Sequence, residues 1–345
     1  MIDKRPLLIA HCADVADVIV AVNFGRDNKL PIAIRGGGHN GPGLGSVNDG
    51  LVIDLSTMKG VRVDPKQKTV RAGPGCTTGD VDHATHAFGQ AVPFGIISTT
   101  GVAGLTLSGG HGYLSRQYGL AVDNLIEADV VLADGSFVTA SEEENADLFW
   151  ALRGGGGNFG VVTSFLFRTN PAGTIYGGPI IFDLADAATV MRWYRDFQSN
   201  APNEFYIFLG LQTVPPGDPF PKDHWGKKMC ALLVSHNGPI AEGEKAVNGI
   251  RAALPKPIID WAGPMPYTAL QSLFDGLYPK GLQMYWKGDF VKTLPDAAID
   301  AHIAQAAKLP GPVSLMHLYP IDGAVHRKKP DASAWNCRDA TWSLD

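Results

Sequence analysis

The chain has 345 residues, of which 45% are hydrophobic and 18% charged, and a net charge of −5. This balance excludes a disordered chain and argues against a general nucleic-acid binder, whose phosphate contacts need clustered Lys and Arg. Glycine is in excess, with 41 residues against a usual share of roughly 7%; lacking a period of three, the excess excludes collagen and points to turns and close backbone approaches.

In chain order, Val15, Val18, Ile19 and Val22 recur at helical spacing and predict a helix over about residues 12–26. Pro31–Arg35 reads as a short strand running into Gly36-Gly37-Gly38-His39-Asn40, and Leu51–Leu55 as another. Gly60–Asp64 and Thr69–Ala72 form a hairpin around Asp64-Pro65-Lys66-Gln67. Val81, Ala84 and Phe88 predict a helix ending at Gly89. Ile126–Leu132 and Phe137–Thr139 form a second hairpin, residues 147–153 a helix, and Val161–Arg168 a strand. Composition shifts near Pro171-Ala172-Gly173. Beyond it, strand-like segments at Ile180–Phe182, Phe205–Leu211, Met229–Ser235, Gln283–Val291 and Val313–Pro320 are separated by helical stretches at Ala187–Phe197, Glu242–Ala253 and Asp296–Ala307. The expected fold class is α+β, with a first domain over residues 1–170 and a second, built on an antiparallel sheet with helices, over 171–345.

No apolar run approaches the roughly 20 residues of a membrane helix. Met1–Ala10 is cut off by His11, Asp14 and Asp17 too early for a signal peptide. The 4 cysteines form no CxxC pair, so neither a disulfide framework nor a structural zinc site is expected. A cytoplasmic location is the default reading.

Of the glycines, 26 precede residue 161, in clusters around 36–45, 101–112 and 154–160. Glycine-rich turns after strands let backbone N–H groups approach phosphate oxygens. Gly36-x-Gly38-x-x-Gly41 fits the dinucleotide fingerprint by letter only, because no helix follows it. A nicotinamide Rossmann fold therefore fits poorly, and the missing Gly-Lys-Ser/Thr excludes a Walker loop. Two clusters separated by a hairpin suit the two ends of one long, phosphate-bearing cofactor.

These residues carry a family resemblance. Pro31-Ile32-Ala33-Ile34-Arg35-Gly36-Gly37-Gly38-His39-Asn40 resembles the opening FAD loop of the vanillyl-alcohol oxidase/p-cresol methylhydroxylase (PCMH) superfamily, and more narrowly of the berberine-bridge-enzyme-like flavoproteins. The likeness continues through Gly73-Pro74-Gly75-Cys76, Gly101–Gly112, Leu114-Ser115-Arg116-Gln117-Tyr118-Gly119-Leu120 and Asp123-Asn124-Leu125 to Leu152–Val162. It implies a PCMH-type two-subdomain FAD-binding domain followed by a substrate domain. It also implies that His39 bonds covalently to the flavin 8α-methyl. FAD contacts are implied for Arg35, Gly36, Gly37, Gly38, Asn40 and Gly41, for Thr99, Thr100, Gly101, Gly104, Ser108, Gly109, Gly110 and Gly112, and, toward the adenosine half, for Gly160 and Val161. Relatives with a second attachment carry a Cys four residues before Gly101; Ile97 stands there, so a single attachment is expected. Members are longer at both ends, which reads this chain as lacking an N-terminal part of the FAD domain and a C-terminal part of the substrate domain, including a tyrosine often cast as catalytic base.

Within the chain, Tyr285 and Lys287 share one face of a predicted strand, and His317 and Tyr319 one face of another; the resemblance implies that residues on such strands look onto the flavin ring, which makes these four the candidates for substrate contact or proton relay. Asp80, Asp82, His83 and His86 read as a solvated helix face rather than a metal site, Cys76 as a small apolar loop residue, and His111 as structural or cofactor-adjacent. The expected function is an FAD-dependent oxidoreductase acting on a small organic substrate, with O2 as acceptor; a dehydrogenase using another acceptor and a non-catalytic FAD-binding module are the alternatives. Neither a nucleic acid nor a membrane is an expected partner.

Overall fold

The computed structural model describes residues 2–217, 220–277 and 281–345. Two compact units divide the chain: one of residues 1–173, 271–285 and 328–338, the other of 174–270, 286–327 and 339–345.

In the first unit a parallel three-stranded sheet has the order Leu8–His11, Leu51–Asp54, Ile32–Arg35. A five-stranded antiparallel sheet runs Val61–Asp64, Thr69–Ala72, Val161–Arg168, Leu125–Val131, Phe137–Ser141. The helix Val15–Asp27 starts where Asp14 accepts the N–H groups of Ala16 and Asp17. Its Val18, Ala21 and Val22 bury against Leu51 and Ile53 of the small sheet and Val131 and Val161 of the large one, so one helix joins the two subdomains. Residues 36–50 contain no helix and lead directly into Leu51–Asp54, which rules out a Rossmann unit as expected.

The helix Thr78–His86 corrects one expectation. Its buried stripe is Thr78, Val81, Asp82 and Thr85, while Phe88 lies exposed beyond its end. The stripe has helical spacing but is mostly polar, and its hydroxyls bond to nearby carbonyls. Asp82 is therefore not on a solvated face.

The second unit holds an eight-stranded antiparallel sheet in the order Ile259–Asp260, Thr174–Asp183, Lys228–His236, Phe205–Thr213, Leu315–Pro320, Trp342–Leu344, Asp289–Val291, with Gly263–Pro266 also paired to Thr174–Asp183. The helices Ala187–Gln198, Ile240–Ala253 and Asp296–Ala306 cover one face. Alternate residues such as Phe205, Ile207, Leu209, Cys230, Leu232, Val234 and Leu318 form the core beneath them.

The strand expected over Gln283–Val291 forms only at Asp289–Val291. Its partner Trp342–Leu344 is three residues long, and among the described residues 283–288 belong to no strand. Tyr285 (88% exposed) and Lys287 thus share no strand face, which removes the geometric ground on which they were paired.

Candidate functional site

The strand Ile32–Arg35 delivers the first glycine loop, and the second meets it backbone to backbone. A Cβ on Gly101 would stand 2.7 Å from both Cα and N of Gly37, and one on Gly36 would stand 2.8 Å from the Pro74 carbonyl oxygen. The segment 73–79 is the hub. Thr78 N–H donates to Thr100 O at 2.8 Å, Gly79 N–H to Ser98 O at 2.9 Å, and Val102 N–H to Cys76 O at 2.9 Å. Gly38 takes a φ of +70°, open to glycine at no steric cost, with the Arg35 guanidinium beneath it. Asn40 fixes the end of the loop by accepting the Leu44 N–H at 2.9 Å.

The structure separates the proposed cofactor residues by what their missing side chains would touch. Gly110 faces Leu105 and Ala121, Gly112 faces Phe94 and Gly95, and Gly160, at φ +140°, faces Val130 and Val131, where Val161 begins its strand. Glycine there is required by the fold itself. Gly41 and Gly104 meet no atom within 4 Å, so their Cβ directions open into free space. Thr99 and Ser108 are exposed and Thr100 is half-buried. These loops thus bring main chain together at Gly37 and Gly101 and leave free space at Gly41 and Gly104, and glycine-rich main chain of this kind can accept a diphosphate group.

His39 lies on this loop and keeps surface exposure, yet partial desolvation holds its pKa below the ordinary imidazole range. It is therefore neutral near pH 7, the form in which a ring nitrogen is nucleophilic. Deeper burial pushes His111 down to about 4.

One part of this unit was invisible in the sequence. The segment 328–338 lies across the second and third glycine clusters: a Cβ on Gly109 would meet the Trp335 ring at 2.6 Å, and one on Gly154 would meet Trp335 Cα at 2.6 Å. Arg338 donates to Asp123 at 2.6 and 2.7 Å from two guanidinium nitrogens. Arg-Asp pairing over 215 residues leaves no local signal.

In the second unit, Met316 and Leu318 point into the helix-covered core, so His317 and Tyr319 share the opposite sheet face. His317 Nδ1 and the Tyr319 hydroxyl are hydrogen-bonded. The Phe208 ring on the neighbouring strand lies 5.3 Å from His317 and 5.2 Å from Tyr319, centroid to centroid. Gly210, opposite His317 in register, leaves room for the imidazole. Burial pushes His317 down to about 4. Sequence reading missed Asp345. It exchanges both backbone hydrogen bonds with His317 (2.8 and 3.0 Å), which puts its side chain on the same face, and burial raises its carboxyl pKa.

The FAD binding domain family matches residues 6–141. An FAD-linked oxidoreductase of Dictyostelium discoideum is 35% identical over 292 residues, 84% of this chain and 61% of that one. An uncharacterized FAD-linked oxidoreductase of Bacillus subtilis, YgaK, is 31% identical over 352 residues, 98% of this chain and 74% of its own. The solved structure of Physcomitrella patens berberine-bridge-enzyme-like 1 superposes on 97% of this chain and 74% of that one, with a TM-score of 0.82 at 25% identity. The chain belongs to the FAD-linked oxidoreductases, with the fold of the PCMH and berberine-bridge-like flavoproteins. It spans about three fifths of the Dictyostelium relative. Among the described residues no helix is long and apolar enough to cross a membrane.

Proposed function

We propose that the protein is an FAD-dependent oxidase of a small organic substrate, an alcohol, sugar or amine. The observation that carries this reading is the main-chain contact of Gly37 with Gly101, which brings the two glycine loops together with the neutral His39 on the first of them. In this reading the backbone of residues 36–41 and 99–112 holds the cofactor's diphosphate, and Gly160 and Val161 lie toward its adenosine half. His39 forms the one covalent link to the flavin 8α-methyl, and Ile97 offers no second. FAD, when bound, supplies a hydride acceptor at N5 and hands its electrons to O2, giving H2O2.

His317 and Tyr319 are the proposed proton-handling pair. A neutral His317 accepts from the Tyr319 hydroxyl at Nδ1, so Tyr319 can take a substrate O–H or N–H proton while passing its own to the imidazole. Phe208 packs against both rings and limits their rotation. The test is an anaerobic titration of the yellow protein with a panel of alcohols, sugars and amines. The oxidase reading requires bleaching by a substrate and return of colour with H2O2 on aeration. Bleaching without rapid return in air assigns a dehydrogenase, and no bleaching by any member contradicts the substrate classes.

A further inference from the structure

Two buried side chains of the first unit each leave an oxygen unsatisfied. Asp82 is 2% and Gln271 1% exposed, and Gln271 Nε2 donates to Asp82 Oδ2 at 3.1 Å. Asp82 Oδ1 and Gln271 Oε1 are shut off from solvent and, among the described residues, have no donor. Both are acceptors if Asp82 is ionised, and burying an unpaired charge is strongly disfavoured. A single proton resolves both: an Asp82 Oδ1–H donating to Gln271 Oε1 closes, with the existing bond, the two-bond ring of an acid and a primary amide.

The surroundings agree. The helix Thr78–His86 packs on the strands Val61–Asp64, Thr69–Ala72 and Gln90–Ala91. Its own Asp80 is taken by Lys59 at 3.1 Å, and it also carries His83 and His86. The strands carry Arg62, Asp64, which caps the turn at Lys66 and Gln67, and Arg71, which is paired with Glu127 and Asp129. The opposing segment carries Asp275. Among the described residues, only Gln271 bonds the Asp82 side chain. Burial pushes the Asp82 carboxyl up to about 7, and among the described residues no charged group adds to the shift.

Four residues beyond Gln271, Asp275 accepts both the N–H (3.0 Å) and the hydroxyl (2.5 Å) of Ser98. The carbonyls of Ile97 and Ser98 in turn accept from the Thr78 hydroxyl at 2.9 and 3.1 Å. Helix, loop and segment close a ring of bonds that ends one residue before Thr99-Thr100-Gly101.

We propose that Asp82 is a neutral carboxylic acid latched to Gln271, and that this latch and Asp275 clip residues 271–275 onto the second glycine loop, the clip loosening when the Asp82 proton is lost. Asp82, Gln271 and Asp275 are thus positioning residues for that loop. The inference goes beyond the oxidase reading, and its test makes no use of flavin.

The folded protein should hold a proton that the unfolded chain lacks between pH about 3.8 and about 7. The stability contributed by that proton is present at acid pH and is lost as pH rises through about 7. Asp82→Asn reproduces both hydrogen bonds without titrating. Amide exchange across residues 97–101 and 271–275 should match in wild type and Asp82→Asn at about pH 5.5 and be roughly tenfold faster in wild type at about pH 8.5. Gln271→Leu should exchange fast at both. Infrared spectra with isotope-labelled Asp should show, at acid pH, a protonated-carboxyl band that Asp82→Asn lacks. Equal exchange in wild type and Asp82→Asn at both pH values overturns the clip. Should Asp82→Asn not fold, absence of the band from wild type overturns the latch.

Discussion

Gly37 and Gly101 touch through their main chains: a Cβ added to Gly101 would stand 2.7 Å from Gly37 Cα and N. Main-chain atoms cannot rotate away as a side chain does, so this contact sets the spacing of the two loops. Gly101→Ala should push them apart, cost about 1–3 kcal/mol of stability as an overpacked contact, and leave the purified protein largely without flavin. Flavin absorbance per protein and thermal unfolding check it; wild-type values for both would contradict the contact.

Gly41 and Gly104 make the opposite case. Neither Cβ direction meets protein within 4 Å, and Gly104 lies inside the helix Val102–Leu107. Gly104→Ala should therefore stabilise the flavin-free protein by up to about 1 kcal/mol through helix propensity, while lowering flavin content. A variant with raised melting temperature and full flavin would remove Gly104 from the cofactor wall.

The Asp123–Arg338 pair is 5% and 2% exposed at its side chains. Removing one partner strands a buried charge, which typically costs about 3–5 kcal/mol. Arg338→Ala should lose that much in urea unfolding, and Asp123→Leu combined with Arg338→Leu should lose less than either single change. Equal or greater loss in the double variant would show that the pair is not held by mutual compensation.

His317 and His111 are both pushed down to about 4 by burial. An unfolded imidazole takes its proton near pH ~6.5, so the unfolded chain binds protons first as pH falls. Stability should decline from pH about 6.5 toward about 4, and His317→Gln should flatten that decline. Urea midpoints at the two ends of this range give the slope; an unchanged slope would contradict a buried neutral His317. At neutral pH, Tyr319→Phe should keep its flavin and lose about 10²–10⁴-fold in kcat.

Local signals read most of this fold correctly. Val161–Arg168 forms over the range its alternation predicts, and the glycine clusters mark loops that do converge. Two kinds of information were not local. In the helix Thr78–His86 the apolar residues mark only part of the buried face: Val81 is buried but Phe88 is exposed, and the polar rest of the stripe is satisfied by hydrogen bonds, among them those to the Ile97 carbonyl and to Gln271. At Gln283–Val291 the alternation is strand-like, but strand length was set by a partner 55 residues later in register, Leu344 opposite Asp289. Within the site, His317 and Tyr319 were legible because period two suffices to put them together. Asp345 was not, because only cross-strand register reveals it.

Acid precipitation of the purified protein, followed by a spectrum of the washed pellet, tests the central claim most directly. The account predicts yellow flavin retained in the pellet of wild type and released from His39→Ala. Colourless protein, or colour wholly released from wild type by acid, would contradict the covalent flavin site built on the loop of Gly36 to Gly41.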